Sequence, residues 1–339
     1  MARKKIEPNI SYDDKRRSYY VYMDYGVDET GTRVRKYKTY PNLNAARKAL
    51  REFHVERSMN QNLVPRKLTL SDWLEYWMKE VIGPNRAVTT LYGYRKIIEN
   101  HLDPALGDVP LQKLTPSHLQ SYYTMLLRDK ELSPNTVRRH HDLLSAALHA
   151  AVRHDVLLRS PTERVEPPRT TQTEIGYYGP SELKELYVLV QDTWLEVIVK
   201  LAGSLGLRRE EICGLRWDCV DFQQRKIHIC QARTAAGAVI VEKETKTRSS
   251  TRALYMTDDL YYLLKRERAR QAENRLRMGS LWKDTGLVAV DQRGRPYSPN
   301  AVSLAFTRFI RKHHLPKLTL HGLRHPYVKH TTKKYNSEK

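Results

Sequence analysis

A chain of 339 residues with 40% hydrophobic side chains is long enough for two or three folded domains and too apolar for wholesale disorder. It carries 59 Lys and Arg against 38 Asp and Glu, and this net charge of +21 favours a polyanionic partner such as nucleic acid. No apolar run is long enough to cross a bilayer, and none follows the basic N-terminus as in a secretory signal. Three clustered cysteines argue against a disulfide framework, so we expect a cytoplasmic protein.

The positive charge is unevenly distributed along the chain. Residues 1–66 have a net charge of +7, residues 67–168 of +1 and residues 169–339 of +13. The breaks fall at residues 64–67 and 166–171, two polar, proline-containing stretches that disfavour regular structure and suit linkers. We therefore predict three domains with these bounds.

The first segment is predicted to form a small sheet followed by a helix. Residues 19–23 and 34–40 are β-prone, residues 28–31 supply a turn, and Asn44 is predicted to cap the helix. Strands rich in Tyr and Arg can enter a DNA groove, although a solvated basic sheet has the same composition. The candidate DNA-binding residues on this segment are Arg16, Arg17, Tyr20, Tyr22, Arg35 and Tyr37.

The middle segment is predicted to be helical throughout. One apolar stripe at helical spacing comprises Leu70, Trp73, Leu74, Trp77 and Met78. Thr115-Pro116 and Ser133-Pro134 each place a capping hydroxyl before a proline at the first helical position. The basic run Arg138, Arg139, His140 and His141 near the second cap either contacts phosphate or forms a solvated face, and Arg138 and Arg139 are retained as candidate DNA-binding residues.

The last segment mixes helices and strands. We predict helices over residues 194–205, 258–278 and 300–313, the first of them broken by Gly206. We also predict strands over residues 226–230 and 238–241, joined through residues 235–237. The pattern indicates a multidomain α+β protein.

Several kinds of chemistry lack support in the sequence. It contains no glycine-rich phosphate loop and no dinucleotide fingerprint. The cysteines are wrongly spaced for zinc, and the acidic residues form no evident magnesium cluster. We therefore predict no cofactor and no metal.

Three cationic clusters in the last segment remain, over residues 206–218, 245–252 and 319–325. The first carries Arg208 where an apolar helix is predicted to end, and the second carries Lys246 after a predicted strand. The third places His321 and Arg324 three residues apart, which we predict lie on one side of a helix. Each cluster alone also has a purely structural explanation.

Taken together, the three clusters resemble the catalytic domain of the tyrosine recombinases, and the whole chain is most similar to integrases of phages and conjugative transposons. The family's first arginine lies in a Gly-Leu-Arg-x-x-Glu stretch, matched by Arg208 and Glu211. Its lysine, on a β-hairpin, is matched by Lys246, and its His-x-x-Arg box by His321 and Arg324.

The resemblance implies a layout for the three segments. Residues 1–66 would be a small arm-type DNA-binding sheet with a helix, residues 67–168 an all-α core-binding (SAM-like) bundle, and residues 169–339 a mixed α+β catalytic domain. The implied partners are double-stranded DNA at core and arm sites, further copies of the chain in a synaptic tetramer, an excisionase and a host DNA-bending protein.

The resemblance also implies a reaction. Two arginines would clamp the non-bridging oxygens of a phosphodiester, Lys246 would protonate the departing 5′-oxygen, and a tyrosine would form a 3′-phosphotyrosyl link. The protein would then be a bacterial or phage-encoded site-specific recombinase of a mobile genetic element.

The sequence departs from the family pattern at its end. The family's nucleophilic tyrosine lies farther from the His-x-x-Arg box than the 15 residues that follow Arg324, and no Leu-Gly-His stretch is present. This predicts a catalytic domain incomplete at its C-terminus, with Tyr335 as a poorly placed candidate and the nucleophile unassigned. The alternative function is a cleavage-deficient relative that binds recombination-site DNA.

Overall fold

The computed structural model describes residues 3–27, 32–58, 68–171, 176–244 and 252–324. The chain divides into two compact units, residues 1–172 and 173–339. The predicted boundary at 168/169 lies four residues from this division, and the one at 66/67 falls outside the described residues. The three-domain division therefore stays a prediction.

An antiparallel sheet and a helix form the start of the first unit. Its strands pair in chain order and are β1 (Lys4–Glu7), β2 (Ile10–Asp13), β3 (Ser18–Val27) and β4 (Arg33–Tyr40). The two strands predicted from β-propensity are β3 and β4, whereas β1 and β2 were missed because they are only four residues long. Val21 and Met23 of β3 are buried with Phe53 of α1 (Leu43–Ser58) in a small core.

The cap of α1 differs from the prediction. The Asn42 side-chain oxygen accepts a hydrogen bond from the backbone N of Ala45 at 2.8 Å. The helix begins at Leu43, so Asn44 lies inside its first turn and the predicted cap at Asn44 is wrong. Asn42 is one of the side chains that satisfy an orphan N–H at a helix start.

The remainder of the first unit is helical. Its α-helices are α2 (Leu70–Tyr76), α3 (Val88–Ile97), α4 (Asp103–Leu106), α5 (Pro116–Arg128) and α6 (Pro134–Arg153). π-helical turns continue α2 over Trp77–Val81 and α3 over Ile98–Leu102, and 3-10 turns span Leu111–Lys113 and Pro161–Arg164. The Thr115 and Ser133 hydroxyls cap α5 and α6 as predicted.

The predicted apolar stripe of the helical part is buried. All five of its residues belong to one core, and the Trp73 indole N–H donates to the carbonyl of Ala147 at 2.9 Å. This hydrogen bond satisfies the indole inside the core and fixes α2 against α6. The helical segment therefore has a core of its own, separate from that of the sheet.

The second unit contains helices, short strands and connecting turns. Its helices are α7 (Pro180–Leu189), α8 (Glu196–Leu205), α9 (Arg209–Gly214), α10 (Asp258–Met278) and α11 (Pro299–Lys312). Its strands are β5 (Val220–Asp221), β6 (Lys226–Ile229), β7 (Gln231–Ala236), β8 (Val239–Glu244) and β9 (Arg252–Tyr255). 3-10 turns span Trp217–Cys219, Gly279–Leu281 and Gly322–Arg324.

The strand pairing corrects the sequence prediction. We expected β6 to pair with β8 through a turn at residues 235–237, but β6 lies between β5 and β9, and β8 pairs with β7. Residues 235 and 236 are part of β7, and Cys230 lies between β6 and β7. The β7 sequence, Gln-Ala-Arg-Thr-Ala-Ala, contains one β-branched residue and no aromatic one, so it does not predict a strand.

The core of the second unit is built on α8. This helix is buried along most of its length, and Val199 and Leu201 pack in the same core as Phe306 of α11. Gly206 ends the helix with φ +63°, a left-handed conformation that glycine adopts without steric cost. The chain then leaves α8 at Gly206, and this turn positions the loop that carries Arg208. Among the described residues, no helix is long and apolar enough to cross a membrane.

Candidate active site

Arg208 lies at the start of a short helix. It precedes α9, and its backbone N donates to the Glu211 Oε2 atom at 2.7 Å. Glu211 is the third residue of α9, so its carboxylate satisfies an otherwise unpaired N–H at the helix start. The Arg208 side chain is 55% exposed, so the loop holds it at the surface.

Glu211 is the centre of a charged cluster. It is only 5% exposed, and its carboxylate accepts hydrogen bonds from two arginines. Oε1 accepts from Arg208 Nη1 at 2.9 Å and from Arg252 Nη1 at 3.0 Å, and Oε2 also accepts from Arg252 Nη2 at 2.8 Å. Burial alone would raise the pKa of Glu211, but the hydrogen bonds from Arg252 and Arg208 hold it below its ordinary value. The carboxylate is therefore ionised at neutral pH.

Arg324 joins this cluster from the far end of the unit. Its Nε donates to the carbonyl of Gly206 at 2.7 Å, across 118 positions of sequence. Burial lowers the pKa of Arg324, and the positive charge of Arg208 lowers it further. The first and third cationic clusters of the sequence are therefore brought together at the turn after α8.

His321 lies beside Arg324 but not on the helix that we predicted. The structure has a 3-10 turn over Gly322–Arg324, with the Arg324 N–H donating to the His321 carbonyl at 3.2 Å. A side chain at position 322 would place its Cβ 2.9 Å from the carbonyl oxygen of Gly176, so the turn can form only around a glycine. The His321 side chain is exposed.

Two other predicted site residues, Lys246 and Tyr335, lie outside the described residues, as does Tyr327. Lys246 belongs to the stretch 245–251, which connects β8 to β9. In the sequence it precedes Arg252, the first residue of β9, by six positions.

The described part of the site can bind a phosphate group. Arg208 and Arg324 each use one side-chain N–H on a described protein acceptor, and a guanidinium has five N–H groups in a planar fork that matches phosphate oxygens. Two such forks can bind several oxygens of one phosphodiester. Among the described residues, no group of three or more His, Cys, Asp or Glu side chains is arranged to hold a metal ion.

Two protein-family models match this chain. The model of the phage integrase N-terminal SAM-like domain matches residues 69–127, and the phage integrase family model matches residues 179–334, which include the arginine cluster. The chain belongs to the phage integrase family of tyrosine recombinases. The family predicted from the three cationic motifs is confirmed.

Similar members of this family align over most of the chain. A "tyrosine recombinase XerC-like" protein of Caldanaerobacter subterraneus subsp. tengcongensis is 24% identical over 331 residues, covering 91% of this chain and 84% of that protein. An integrase of Streptomyces ambofaciens is 22% identical over 340 residues, covering 96% and 85%.

Solved structures of integrases share the fold. The Tn1549 transposon integrase, in complex with a circular intermediate DNA, matches with a TM-score of 0.66 and 20% identity over 79% of this chain and 87% of that one. A lambda integrase tetramer bound to a Holliday junction matches with a TM-score of 0.58 and 16% identity over 95% and 87%. The predicted fold class, a multidomain α+β tyrosine recombinase, is confirmed.

The candidate DNA-binding residues of the N-terminal sheet differ in exposure. Tyr22 and Tyr37 face each other on β3 and β4 with ring centroids 5.4 Å apart, and the exposed Arg35 guanidinium lies 5.7 Å from the Tyr22 ring. Tyr20 lies on the same face but is 6% exposed, and the Arg3 guanidinium lies 3.8 Å from its ring centroid. Arg16 and Arg17 are exposed in the turn before β3, where Arg16 donates to the Tyr20 hydroxyl.

The basic run on α6 is split by burial. Arg139 is exposed, and Arg138 is half-buried and forms an ion pair with Asp142 at 3.3 Å. His140 and His141 are buried and hydrogen-bonded to the hydroxyls of two tyrosines on α5, so for these two residues neither alternative, phosphate contact or a solvated face, holds. Consecutive helical residues point in different directions, and two of these four point inward.

Arg252 is the site residue that the sequence reasoning missed. It ends the second cationic cluster, and we singled out only Lys246 there. The structure places the Arg252 side chain on Glu211 in a two-pronged contact. Its position at the first residue of a strand that follows a cationic stretch was the available signal, but nothing in the sequence names Glu211 as its partner.

Proposed function

We propose that this chain is a site-specific DNA recombinase of a mobile genetic element, which breaks and rejoins DNA through a 3′-phosphotyrosyl intermediate. The observation that supports this most directly is the meeting of Arg208 and Arg324 at one surface, organised by Glu211 and the Gly206 carbonyl. Attack on a phosphodiester concentrates negative charge on the phosphate oxygens, and two guanidiniums held together can stabilise it.

The residues of the cluster suit the proposed chemistry. Attack of a tyrosine hydroxyl on the phosphorus forms a new P–O bond and builds charge on the two non-bridging oxygens, which in our proposal Arg208 and Arg324 bind. In our proposal Lys246 donates a proton to the departing 5′-oxygen as the old P–O bond breaks. The proton that the tyrosine hydroxyl loses passes to His321, or to water while His321 hydrogen-bonds the phosphate. The nucleophilic tyrosine is not assigned to a residue.

The DNA partner is proposed from charge, surface and relatives together. Structures of the Tn1549 and lambda integrases are complexes with DNA, and one lambda structure is a tetramer. We propose that the sheet face carrying Tyr22, Arg35 and Tyr37 binds arm-type sites and that residues 67–168 and 169–339 bind the core site. Assembly into a synaptic tetramer, and regulation by an excisionase and a host DNA-bending protein, belong to the same proposal.

A nicked-duplex assay tests the proposal. Duplexes that bind the full chain are selected from a random pool, nicked near the centre of the bound sequence, and examined for a covalent protein–DNA adduct on denaturing gels. We expect an adduct with the wild-type chain and none with Arg208→Ala or Arg324→Ala, because both remove donors to the phosphate. Arg225→Ala, which removes an exposed arginine of the same unit, is the matched control and should cleave normally.

The outcomes separate a recombinase from a protein that binds recombination-site DNA without cleaving it. Tight, sequence-specific binding without any adduct would support the binding-only alternative. An adduct that persists in both arginine variants would contradict the site assigned above, although not the family.

The sheet face has its own test. Arg35→Ala with Tyr37→Ala should weaken binding to arm-type sites and reduce the dependence of affinity on salt by about one counterion for each phosphate that is no longer neutralised. Lys48→Ala, on the exposed side of α1, is the control, and fluorescence anisotropy at several salt concentrations is the measurement. Equal losses of affinity in both variants would mean that only bulk charge matters.

A further inference from the structure

We propose that Arg252 is a positioning residue for the phosphate site, which acts by sharing the Glu211 carboxylate with Arg208. This inference rests on the proposed function, and it concerns a residue that we did not place among the groups contacting DNA. Its basis is the arrangement of four hydrogen bonds around one buried carboxylate.

The two arginines use Glu211 differently. Arg252 reaches it with both terminal nitrogens, at 3.0 and 2.8 Å, a fork-to-fork contact of the strongest kind. Arg208 contributes one terminal nitrogen and its backbone N–H. The Arg208 side chain is also the more exposed, at 55% against 30% for Arg252. Arg252 is thus the main partner of the carboxylate, and Arg208 is the arginine presented to solvent.

This sharing has an electrostatic consequence. The cluster holds three guanidiniums, those of Arg208, Arg252 and Arg324, against the one buried carboxylate of Glu211. The neighbouring Glu210 is paired with Arg209 at 3.0 Å. Without Arg252, Arg208 would be the only cation in contact with Glu211. Its side chain would then be engaged in that ion pair and less available to phosphate. With Arg252 in place, Glu211 orients Arg208 while the cluster keeps a surplus of positive charge.

Arg252 also links two parts of the site along the chain. It is the first residue of β9, where it pairs with Ile229 of β6, and it directly follows the stretch that carries Lys246. Its contact with Glu211 therefore ties the start of β9 to α9.

The test uses the full chain and inorganic phosphate as the probe. The Nε–H of Arg324 is hydrogen-bonded to Gly206, so its ¹H–¹⁵N NMR signal is expected to be visible and is assigned by its absence in Arg324→Lys. Phosphate is titrated while this signal is followed in the wild type, Arg252→Met, Arg252→Lys, Glu211→Gln and the Arg252→Met/Glu211→Gln double variant. Arg225→Met, which removes an equal charge elsewhere in the unit, is the matched control.

We expect Arg252→Met to weaken phosphate binding at Arg324 about tenfold. A change of this size lies within the range of interaction free energies measured between contacting residues of one ion-pair network. Arg252→Lys should recover a large part of this loss, because it keeps the charge. In the Glu211→Gln background, Arg252→Met should change affinity less than about threefold, since no carboxylate remains to be neutralised. This dependence on Glu211 distinguishes positioning from a general structural role, and thermal unfolding checks that each variant is folded.

Three results would overturn the proposal: an unchanged affinity in Arg252→Met, an equal loss in the Glu211→Gln background, or an equal loss in Arg225→Met. If Arg252→Met does not fold, Arg252→Gln takes its place in the same cycle. If phosphate does not shift the Arg324 signal of the wild type, the proposal for Arg252 is also overturned. In that case, adduct formation on the nicked duplex would still support the proposed function. Conversely, phosphate binding with the expected coupling but without an adduct would uphold Arg252 and contradict cleavage.

Discussion

Two buried polar clusters in this chain differ in charge: one is neutral and the other is ionised. In the helical segment, His140 is 1% exposed and its Nδ1 is hydrogen-bonded to the Tyr122 hydroxyl at 2.7 Å. In the second unit, Glu211 is 5% exposed and is bound by Arg208 and Arg252. Burial is nearly the same in the two clusters, so it does not by itself decide which group is charged.

The partners decide the charge. Burial, together with the smaller effect of the neighbouring His101, lowers the pKa of His140 to about 4, while its tyrosine partner is a neutral phenol whose pKa burial raises. No described contact of His140 repays the cost of a buried cation, so the imidazole is neutral at physiological pH. Glu211 contacts two cations, which offset its desolvation and keep it ionised. The neutral cluster is part of the core, and the charged cluster presents one exposed guanidinium, that of Arg208, to solvent.

The largest effect is expected on removing the charged centre. Glu211→Ala leaves Arg252 without its partner and α9 without the side chain that caps it, so we expect a loss of about 3–5 kcal/mol in the free energy of unfolding of the second unit. Urea denaturation followed by circular dichroism measures it. Asp218→Ala, which removes an exposed ion pair with Arg216, is the control and should cost less than about 0.5 kcal/mol. Similar losses in both would mean that Glu211 is no more than a surface charge.

The pH dependence of the two clusters should differ. The folded pKa of His140, about 4, lies below its unfolded value of about 6.5, so its contribution is complete above pH 6.5 and is lost as the pH falls towards 4. The loss amounts to about 3 kcal/mol over that window. Glu211, whose pKa is held below 4.5, loses its contribution only at still lower pH.

Hydrogen exchange with mass spectrometry, corrected for intrinsic rates, follows the two clusters separately. Protection of α6 should fall at about pH 5 while that of α9 persists. Simultaneous loss in both helices would contradict the assignment of a neutral histidine and an ionised carboxylate.

The smallest effect concerns a single hydroxyl. Tyr122→Phe leaves the buried His140 Nδ1 without its 2.7 Å partner, so we expect a loss of about 1–2 kcal/mol in the free energy of unfolding. Tyr123→Phe removes the longer, 3.1 Å bond to the less deeply buried His141 and should cost less. Chemical denaturation of both variants measures the difference, and a larger loss in Tyr123→Phe would reverse the order proposed here.

Much of the helical framework was predictable from local patterns. The stripe that includes Trp73 and Trp77 is buried as its spacing predicts, and the Thr115 and Ser133 caps lie where a hydroxyl precedes a proline. These features depend on residues within a few positions of one another, which is why one sequence reveals them. The predictions failed where the partner is distant, as in the pairing of β6 with β9 instead of β8.

The candidate site shows the same division. The motifs around Arg208 and Arg324 identify the family, because the residue types and their order are written in the sequence. Their meeting across 118 positions at the Gly206 turn, and the two-pronged contact of Arg252 with Glu211, depend on how α8, α9 and β9 pack. Likewise, nothing local distinguishes the exposed Arg139 from the buried His140 beside it. The sequence by itself determined which charges the protein carries, and only the tertiary structure decided which of them meet a partner, because burial and ion pairing are set by residues far apart in the chain.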